Sequence, residues 1–240
     1  MSVNMLEVHG VSKRFGGFAA LSEVSIAVRR EERLGIIGPN GSGKTTLINC
    51  ICGALLSDAG AIRFDGTDIT RLPPYRRTRL GLARSFQIPR PFSSMTVAGN
   101  VAVALEYSSH GGARIDVAAQ TLWTLARLGL GDKADTPASQ LTQVDLRKLE
   151  LARALATRPR LLILDEVMAG LSSSEVDEML GIVLTLNTGG ITVIMIEHIM
   201  RAIMRFSQRV LCLDAGRVIA EGTPQQVVED VNVQRVYLGG

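Results

Sequence analysis

Residues 38–45 read Gly-Pro-Asn-Gly-Ser-Gly-Lys-Thr, a pattern that is typical of a phosphate-binding loop. Glycines let backbone N–H groups turn inward around phosphate oxygens, Lys44 then meets the β- and γ-phosphates, and Thr45 offers an oxygen to Mg²⁺. A short apolar run at 34–37 precedes the loop and a helix-favouring stretch follows it, as the pattern requires. The candidate nucleotide-binding residues are Gly38, Pro39, Asn40, Gly41, Ser42, Gly43, Lys44, Thr45 and Thr46.

Two adjacent carboxylates, Asp165 and Glu166, follow the apolar run at 161–164. Asp165 is placed to hold Mg²⁺ through water, and Glu166 to accept a proton from the attacking water in phosphoryl transfer. Taken alone, the pair is also explained as a strand followed by an acidic helix cap. The phosphate-binding loop upstream favours the catalytic interpretation.

His198 and Gln87 are two further candidates. His198 follows the apolar run at 191–196, so it takes the position after its strand that Asp165 takes after its own. A contact with a γ-phosphate is feasible there. Gln87 carries a neutral amide that can reach both Mg²⁺ and the attacking water, with a surface glutamine as the alternative interpretation.

The elements that must position these residues follow from hydrophobic patterning. Four strand-like apolar runs alternate with helical stretches, which predicts a mostly parallel sheet with ligands at the carboxyl ends of its strands. Residues 6–28 and 61–64 instead predict short antiparallel strands. From about 89 to 158 no run resembles a buried strand, and helical spacing at 115–128 and 146–156 predicts a helical insertion.

We therefore predict an α/β protein with a P-loop NTPase core, in which helices flank a mostly parallel sheet, plus an antiparallel β layer and an inserted helical subdomain. A length of 240 residues suits one such domain and is too short for two. Residues 1–87 and 159–240 would form the RecA-like core with its β layer, and residues 88–158 the helical subdomain.

Composition and charge exclude other classes of protein. No run of roughly 20 apolar residues exists and no signal-peptide pattern opens the chain, so we expect neither a membrane span nor secretion. A net charge of +3 is too balanced for nucleic-acid binding. Three cysteines match no zinc site and are expected to be buried thiols in a reducing compartment. One group of arginines is interpreted as a solvated helical face, with a docking or lipid-headgroup surface as the alternative: Arg71, Arg76, Arg77, Arg79 and Arg84.

Taken in order, the phosphate-binding loop, Gln87, the helical insertion, Asp165 with Glu166, and His198 resemble the ATP-binding cassette family over nearly the whole chain. Several short segments resemble more narrowly the ATPase subunits of branched-chain amino acid importers. These segments are Lys-Arg-Phe-Gly-Gly at 13–17, Phe-Gln at 86–87, Arg-Pro-Phe at 90–92, Met-Thr-Val at 95–97, Ile-Glu-His at 196–198, Glu-Gly-Thr-Pro at 221–224 and Tyr-Leu-Gly at 237–239.

The resemblance implies roles and partners. It implies that Phe15 stacks on adenine, that Gln87 senses the γ-phosphate for a permease, and that His198 contacts that phosphate. It also implies ATP and Mg²⁺ as cofactors and two cassettes that face each other head to tail, each ATP lying between the phosphate loop of one and the signature segment of the other. Transmembrane permease subunits, and indirectly a solute-binding protein, would be the partners of a peripheral protein on the cytoplasmic face of the cell membrane.

The signature segment departs from the family's usual Leu-Ser-Gly-Gly-Gln. The aligned residues are Leu141, Thr142, Gln143, Val144 and Asp145. Thr142 and Asp145 resemble a helix capping box, so the segment is still expected to begin a helix. A β-branched Val144 in place of glycine is expected to hold the γ-phosphate of the facing ATP outward.

Two smaller departures are Val167, where the family usually has proline, and Ser172, where it often has aspartate or asparagine. From these departures we predict an asymmetric pair with a different cassette, a homodimer being the alternative. This chain would supply competent phosphate-loop and acidic residues, while its own signature segment completes a weaker second site.

Three other functions compete with the importer. The compact length and the ending at 235–239 also resemble ATPases that extract lipopolysaccharide, although the segment at 86–97 favours import. A cytosolic ABC protein acting on DNA or ribosomes usually has two cassettes or a long coiled-coil insertion, and this chain has neither. An ATP-binding protein without turnover would follow if the altered signature segment prevented hydrolysis.

Overall fold

A computed structural model describes residues 4–85, 89–108 and 116–238, and shows two sheets. One has four strands in the order β2-β1-β4-β5, and the other has six in the order β10-β9-β3-β8-β7-β6. The strands are β1 (Asn4–Phe15), β2 (Phe18–Arg29), β3 (Arg33–Ile37), β4 (Ala59–Phe64), β5 (Thr67–Asp68), β6 (Leu82–Arg84), β7 (Leu161–Asp165), β8 (Thr192–Ile196), β9 (Arg209–Asp214) and β10 (Arg217–Gly222).

Helices lie between successive parallel strands of the six-stranded sheet. The helices are α1 (Lys44–Cys52), α2 (Pro74–Arg79), α3 (Val97–Ser108), α4 (Val117–Arg127), α5 (Gln143–Ala156), α6 (Ser173–Thr188), α7 (Met200–Phe206), α8 (Pro224–Glu229) and α9 (Val231–Leu238), with short 3-10 turns at Gly131–Lys133 and Ala138–Gln140.

The six-stranded sheet is parallel except for its edge strand β10, which runs antiparallel to β9. Every residue of β7 and β8 is buried, as expected of parallel strands covered on both faces. Alternate side chains of β3 enter two separate hydrophobic clusters, Leu34 and Ile36 one and Ile37 the other. The sheet therefore divides the interior, and the carboxyl ends of β3, β7 and β8 meet at one edge. The predicted fold class is confirmed.

The antiparallel sheet differs from the prediction in strand length. Short strands were predicted for residues 6–28, but β1 and β2 have 12 residues each and pair from end to end. Register shifts occur between Val8 and Val11, and again between Val11 and Arg14. They allow the two strands to stay paired across positions where the alternation of apolar and polar residues is interrupted.

Helices α3, α4 and α5 lie between β6 and β7 in the chain and pack on one another. Val101, Leu105, Leu125 and Leu149 are buried among them in the larger hydrophobic cluster. The limits of a separate helical subdomain at 88–158 stay a prediction.

The arginine group is not one solvated face. Arg71, Arg76 and Arg79 are exposed, whereas the side chain of Arg77 is fully buried. Its guanidinium donates to four carbonyl oxygens, those of Cys50, Ile51, Leu72 and Thr70, at 2.7–3.0 Å. The interpretation was wrong for Arg77 because a helix of only 6 residues lies against the end of α1 and turns this side chain inward.

Within the described ranges, no helix combines the length and the apolar character needed to cross a membrane.

Candidate functional site

The phosphate-binding loop leaves the carboxyl end of β3 and enters α1 at Lys44. The Lys44 side chain is buried, and its Nζ donates to the carbonyl oxygens of Gly38 at 2.7 Å and Pro39 at 2.9 Å. Burial lowers the pKa of Lys44, and the carboxylates of Glu166 and Asp165 oppose that shift. The ammonium is therefore fixed over the loop, close to the acidic pair.

Glycine is required at Gly43, where the loop passes into the helix. Its φ of 105° lies in the left-handed region, and an added Cβ would lie 2.6 Å from the carbonyl oxygen of Ala20. The close approach of β2 to the loop therefore depends on the missing side chain.

A cavity of about 260 Å³ opens beside this loop. Phe15 and Phe18 form one wall, and both rings are largely exposed. The sequence suggested Phe15 for adenine stacking and not Phe18, because an exposed aromatic side chain directly after a Gly-Gly turn carries no spacing signal. The remaining lining residues are Ala20, Asn40, Gly41, Ser42, Gly43, Lys44, Thr45, Thr46 and Glu166.

Asp165 ends β7 with its carboxylate almost fully buried. Arg84 of the neighbouring strand β6 donates from Nη2 to Asp165 Oδ2 at 2.6 Å and from Nη1 to Asn49 Oδ1 of α1 at 2.6 Å. The sequence analysis interpreted Arg84 as part of the solvated arginine face. In the structure its side chain is instead largely buried and bonded to Asp165. It neutralises Asp165 and ties β7 to the helix that follows the phosphate-binding loop.

Glu166 and His198 are brought together at the same edge of the sheet. His198 Nε2 lies 2.8 Å from Glu166 Oε1, and the Glu166 backbone N–H donates to the Ile196 carbonyl oxygen at 2.9 Å. Glu166 has φ 51°, an uncommon value for a residue with a side chain. This backbone turn directs the chain away from β7 and leaves the carboxylate facing the phosphate-binding loop and the imidazole.

Glu197 is a buried carboxyl group that sequence reasoning did not single out. Its Oε1 accepts the backbone N–H of Met168 at 2.8 Å, so it holds the segment that follows Glu166. Burial raises the pKa of Glu197 to about 7, with the nearby Glu166 carboxylate adding to the shift and Arg147 opposing it. The sequence could not reveal this, because a glutamate after an apolar strand is usually exposed.

The signature segment begins α5, as predicted. Thr142 is the N-cap and accepts the Asp145 N–H at 3.3 Å. Asp145 Oδ2 accepts from the Thr142 hydroxyl at 2.7 Å and from Lys133 Nζ at 2.6 Å. Val144 is half-buried and packs partly against the larger hydrophobic cluster, while Gln143 is exposed. Among the described residues, none of 141–145 lines the cavity beside the phosphate-binding loop.

Ser172 and Gln87 are two further residues that the sequence singled out. Ser172 is the N-cap of α6 and forms a capping box with Glu175, so it replaces an acidic residue without loss of the cap. Gln87 lies outside the described residues. Another cavity, of about 310 Å³, lies between α2, β6 and α5 and is lined in part by Arg84.

Comparison with known proteins supports one family. A family model described as ABC transporter matches residues 21–169, and one described as branched-chain amino acid ATP-binding cassette transporter matches residues 217–240. The chain is 34% identical over 266 residues to the high-affinity branched-chain amino acid transport ATP-binding protein BraF of Pseudomonas aeruginosa, covering 100% of this chain and 99% of that protein. It is 36% identical over 253 residues to LivG of Escherichia coli K12, with the same coverage.

Solved structures agree over the same extent. A nucleotide-free ATP-binding cassette from an ABC transporter is 32% identical, with a TM-score of 0.90 over 99% of this chain and 100% of that one. A dimeric bacterial ABC transporter cassette is 25% identical, with a TM-score of 0.83 over 92% and 99%. Likeness in sequence and in fold thus extends over the full length of the chain, which belongs to the ATP-binding cassette family of transporter ATPases.

Proposed function

We propose that this ATPase drives import of branched-chain amino acids or related small polar solutes, working at the cytoplasmic face of the membrane with separate permease subunits. The observation that carries the proposal is full-length similarity to ATP-binding proteins of branched-chain amino acid transport, together with the match of residues 217–240 to a family of that name. Export of lipopolysaccharide is the main alternative.

The site chemistry we propose starts from ATP phosphates in the loop 38–45, where Lys44 and the backbone N–H groups neutralise their charge. Glu166 accepts a proton from the attacking water, and His198 holds the Glu166 carboxylate in place and reaches the γ-phosphate. Phe15 covers the adenine. Thr45, Asp165 and Gln87 supply the oxygen atoms that suit Mg²⁺, which when bound draws charge from the phosphates.

We place the permease contact at the cavity between α2, β6 and α5. Arg84 lines this cavity and donates a hydrogen bond to Asp165. In the sequence, Arg84 is close to Gln87, the residue expected to report the γ-phosphate. A movement of the permease at this cavity would therefore be transmitted to Asp165 and Glu166 through the Arg84 side chain.

We further propose that the working unit pairs this chain with a different cassette. Residues 141–145 of the same chain do not line the cavity at the phosphate-binding loop. The signature segment of a facing cassette would complete the site there, as the family resemblance implies. Because this chain's own segment has Val144 where a glycine is usual, a homodimer would contain two weakened sites. A partner with intact glycines would restore one.

The test is reconstitution in liposomes of this chain, a second cassette, the permease subunits and the solute-binding protein. We expect leucine-loaded binding protein to stimulate ATP hydrolysis, and the assembly to hydrolyse ATP faster than the isolated chain. The same assembly carrying Glu166→Gln is the control. Stimulation by lipopolysaccharide and not by the loaded binding protein would contradict import, and an isolated homodimer as fast as the assembly would contradict the asymmetric pair.

A further inference from the structure

The closing helix α9 contacts the phosphate-binding loop, although the two lie at opposite ends of the chain. Tyr237 accepts a hydrogen bond at its hydroxyl oxygen from the backbone N–H of Gly38, at 2.7 Å. Tyr237 begins the Tyr-Leu-Gly ending that the catalytic scheme leaves without a role. A side chain 199 positions away in sequence thus bonds the first peptide of the nucleotide site.

Helix α9 is anchored well enough to hold this contact. Asp230 caps its first turn by accepting the N–H groups of Asn232 at 2.8 Å and Val233 at 3.3 Å. Val233 is buried in the larger hydrophobic cluster, beside Val227 of α8. Val233 and Tyr237 are four residues apart, so the face of α9 that packs on the core also carries the hydroxyl to the loop.

The backbone groups on both sides of the Gly38 Cα are hydrogen-bonded. Its N–H donates to Tyr237, and its carbonyl oxygen accepts from Lys44 Nζ at 2.7 Å. Gly38 has φ 148°, and an added Cβ would lie 2.2 Å from the Leu213 carbonyl oxygen, so β9 limits its movement on a third side. A shift of the Gly38 backbone at its N–H would therefore also move its carbonyl group, to which Lys44 donates.

We propose that Tyr237 is a positioning residue of the nucleotide site, through which α9 holds the entry of the phosphate-binding loop in its binding conformation. Loss of the hydroxyl leaves the partly buried Gly38 N–H without its acceptor in the chain, which destabilises the loop conformation that depends on this hydrogen bond. The loop then relaxes, and nucleotide binding weakens before the chemical step is affected. The inference rests on nucleotide binding by this chain and on neither cargo nor permease.

Tyr237→Phe in the full-length chain is the direct test, with Tyr107→Phe on the exposed side of α3 as the matched control. We expect Tyr237→Phe to raise the Kd for mant-ATP about 3- to 10-fold and to accelerate amide exchange at Gly38, with the control unchanged. A purely structural contact would lower Tm and leave the Kd, measured well below Tm, at the wild-type value. That result would overturn the proposal.

Val233→Ala supplies an independent variant, because it loosens α9 and keeps the hydroxyl. We expect it to raise the Kd in the wild-type background and to add nothing in the Tyr237→Phe background, since both act through one contact. Additive effects would overturn the proposal. Because only the isolated chain is used, failure of the importer assignment leaves these outcomes unaffected, and amide exchange at Gly38 needs no nucleotide.

Discussion

Glu166 has an uncommon backbone angle, lines the cavity beside the phosphate-binding loop and has a histidine partner at 2.8 Å. If it is the proton acceptor, Glu166→Gln keeps the shape and the contact with His198 and loses the basicity. We expect ATP turnover to fall by about 100-fold or more, the usual contribution of a general base, with mant-ATP binding retained. Steady-state hydrolysis and equilibrium binding measure the two effects separately.

Glu106→Gln is the matched control for that variant, since Glu106 is exposed on α3 and far from the loop in the chain. It should leave both turnover and binding at the wild-type values. Unchanged turnover in Glu166→Gln would remove Glu166 from the catalytic role, and loss of nucleotide binding would show that it acts in binding instead.

Glu197 makes stability depend on pH. Its pKa is about 7 in the folded chain against 4.5 as the ordinary value, so between these values the folded state binds more protons than the unfolded one. Wild-type stability therefore falls as the pH rises through this window. Glu197→Gln removes the titration and keeps an acceptor for the Met168 N–H. The free energy of unfolding of the variant, relative to wild type, should therefore rise by about 2.5 kcal/mol between pH 5 and pH 8.

Urea unfolding at the two pH values measures this difference. Any constant penalty from the added amide group cancels in the comparison. Glu106→Gln should show no such change with pH. If the free energies of unfolding of Glu197→Gln and wild type differ by the same amount at pH 5 and at pH 8, the buried carboxyl group titrates near its ordinary pKa.

At the scale of elements, α1 depends on Arg77 of α2. The helix that starts at Lys44 ends with carbonyl groups that Arg77 pairs, those of Cys50 and Ile51. Arg77→Ala would bury these oxygens without their charged donor, and we expect the free energy of unfolding to drop by about 3 kcal/mol or more. Arg76→Ala, an exposed neighbour on the same helix, should cost less than about 0.5 kcal/mol. Equal effects in urea titrations would contradict this role.

The same elements show how far the sequence predicts this site. The phosphate-binding loop, Asp165 with Glu166 and the start of α5 were predictable, because each is a local pattern joined to a strand or helix that patterning also reveals. Arg84, Glu197 and Tyr237 were not singled out for what they do. Each acts on a residue from a distant part of the chain, and neither residue type nor spacing encodes a pairing that only the folded sheet creates.

At the scale of the whole molecule, Val144 is the position where the side chain of one cassette would crowd the ATP bound by the other. Val144→Gly should raise ATP turnover of the two-cassette assembly, by about fivefold if it relieves about 1 kcal/mol of steric cost at the facing phosphate. It should also lower the stability of the chain by about 0.5–1 kcal/mol, since glycine disfavours helix. Val117→Gly, a half-buried valine in the first turn of α4, should show the second effect alone.

Hydrolysis by the assembly and urea unfolding of the chain measure these two effects. If Val144→Gly matches Val117→Gly in both assays, the valine does not limit the second site. The altered signature segment would then be tolerated because Val144 packs partly toward its own core.

The strand order has a consequence for the synthesis of this protein on the ribosome. Strand β3, which leads into the phosphate-binding loop, is hydrogen-bonded on its two sides by β8 and β9. Strand β8 begins about 155 residues after β3 ends, and β9 begins about 172 residues after it. At ribosomal speeds of about 5–20 residues per second this is a delay on the order of 10 s. During that interval both edges of an apolar strand lack their partners, so the nascent chain is open to aggregation and to chaperones. It also has no completed nucleotide site, and a newly made ATPase therefore cannot consume ATP until nearly all of it has been synthesised.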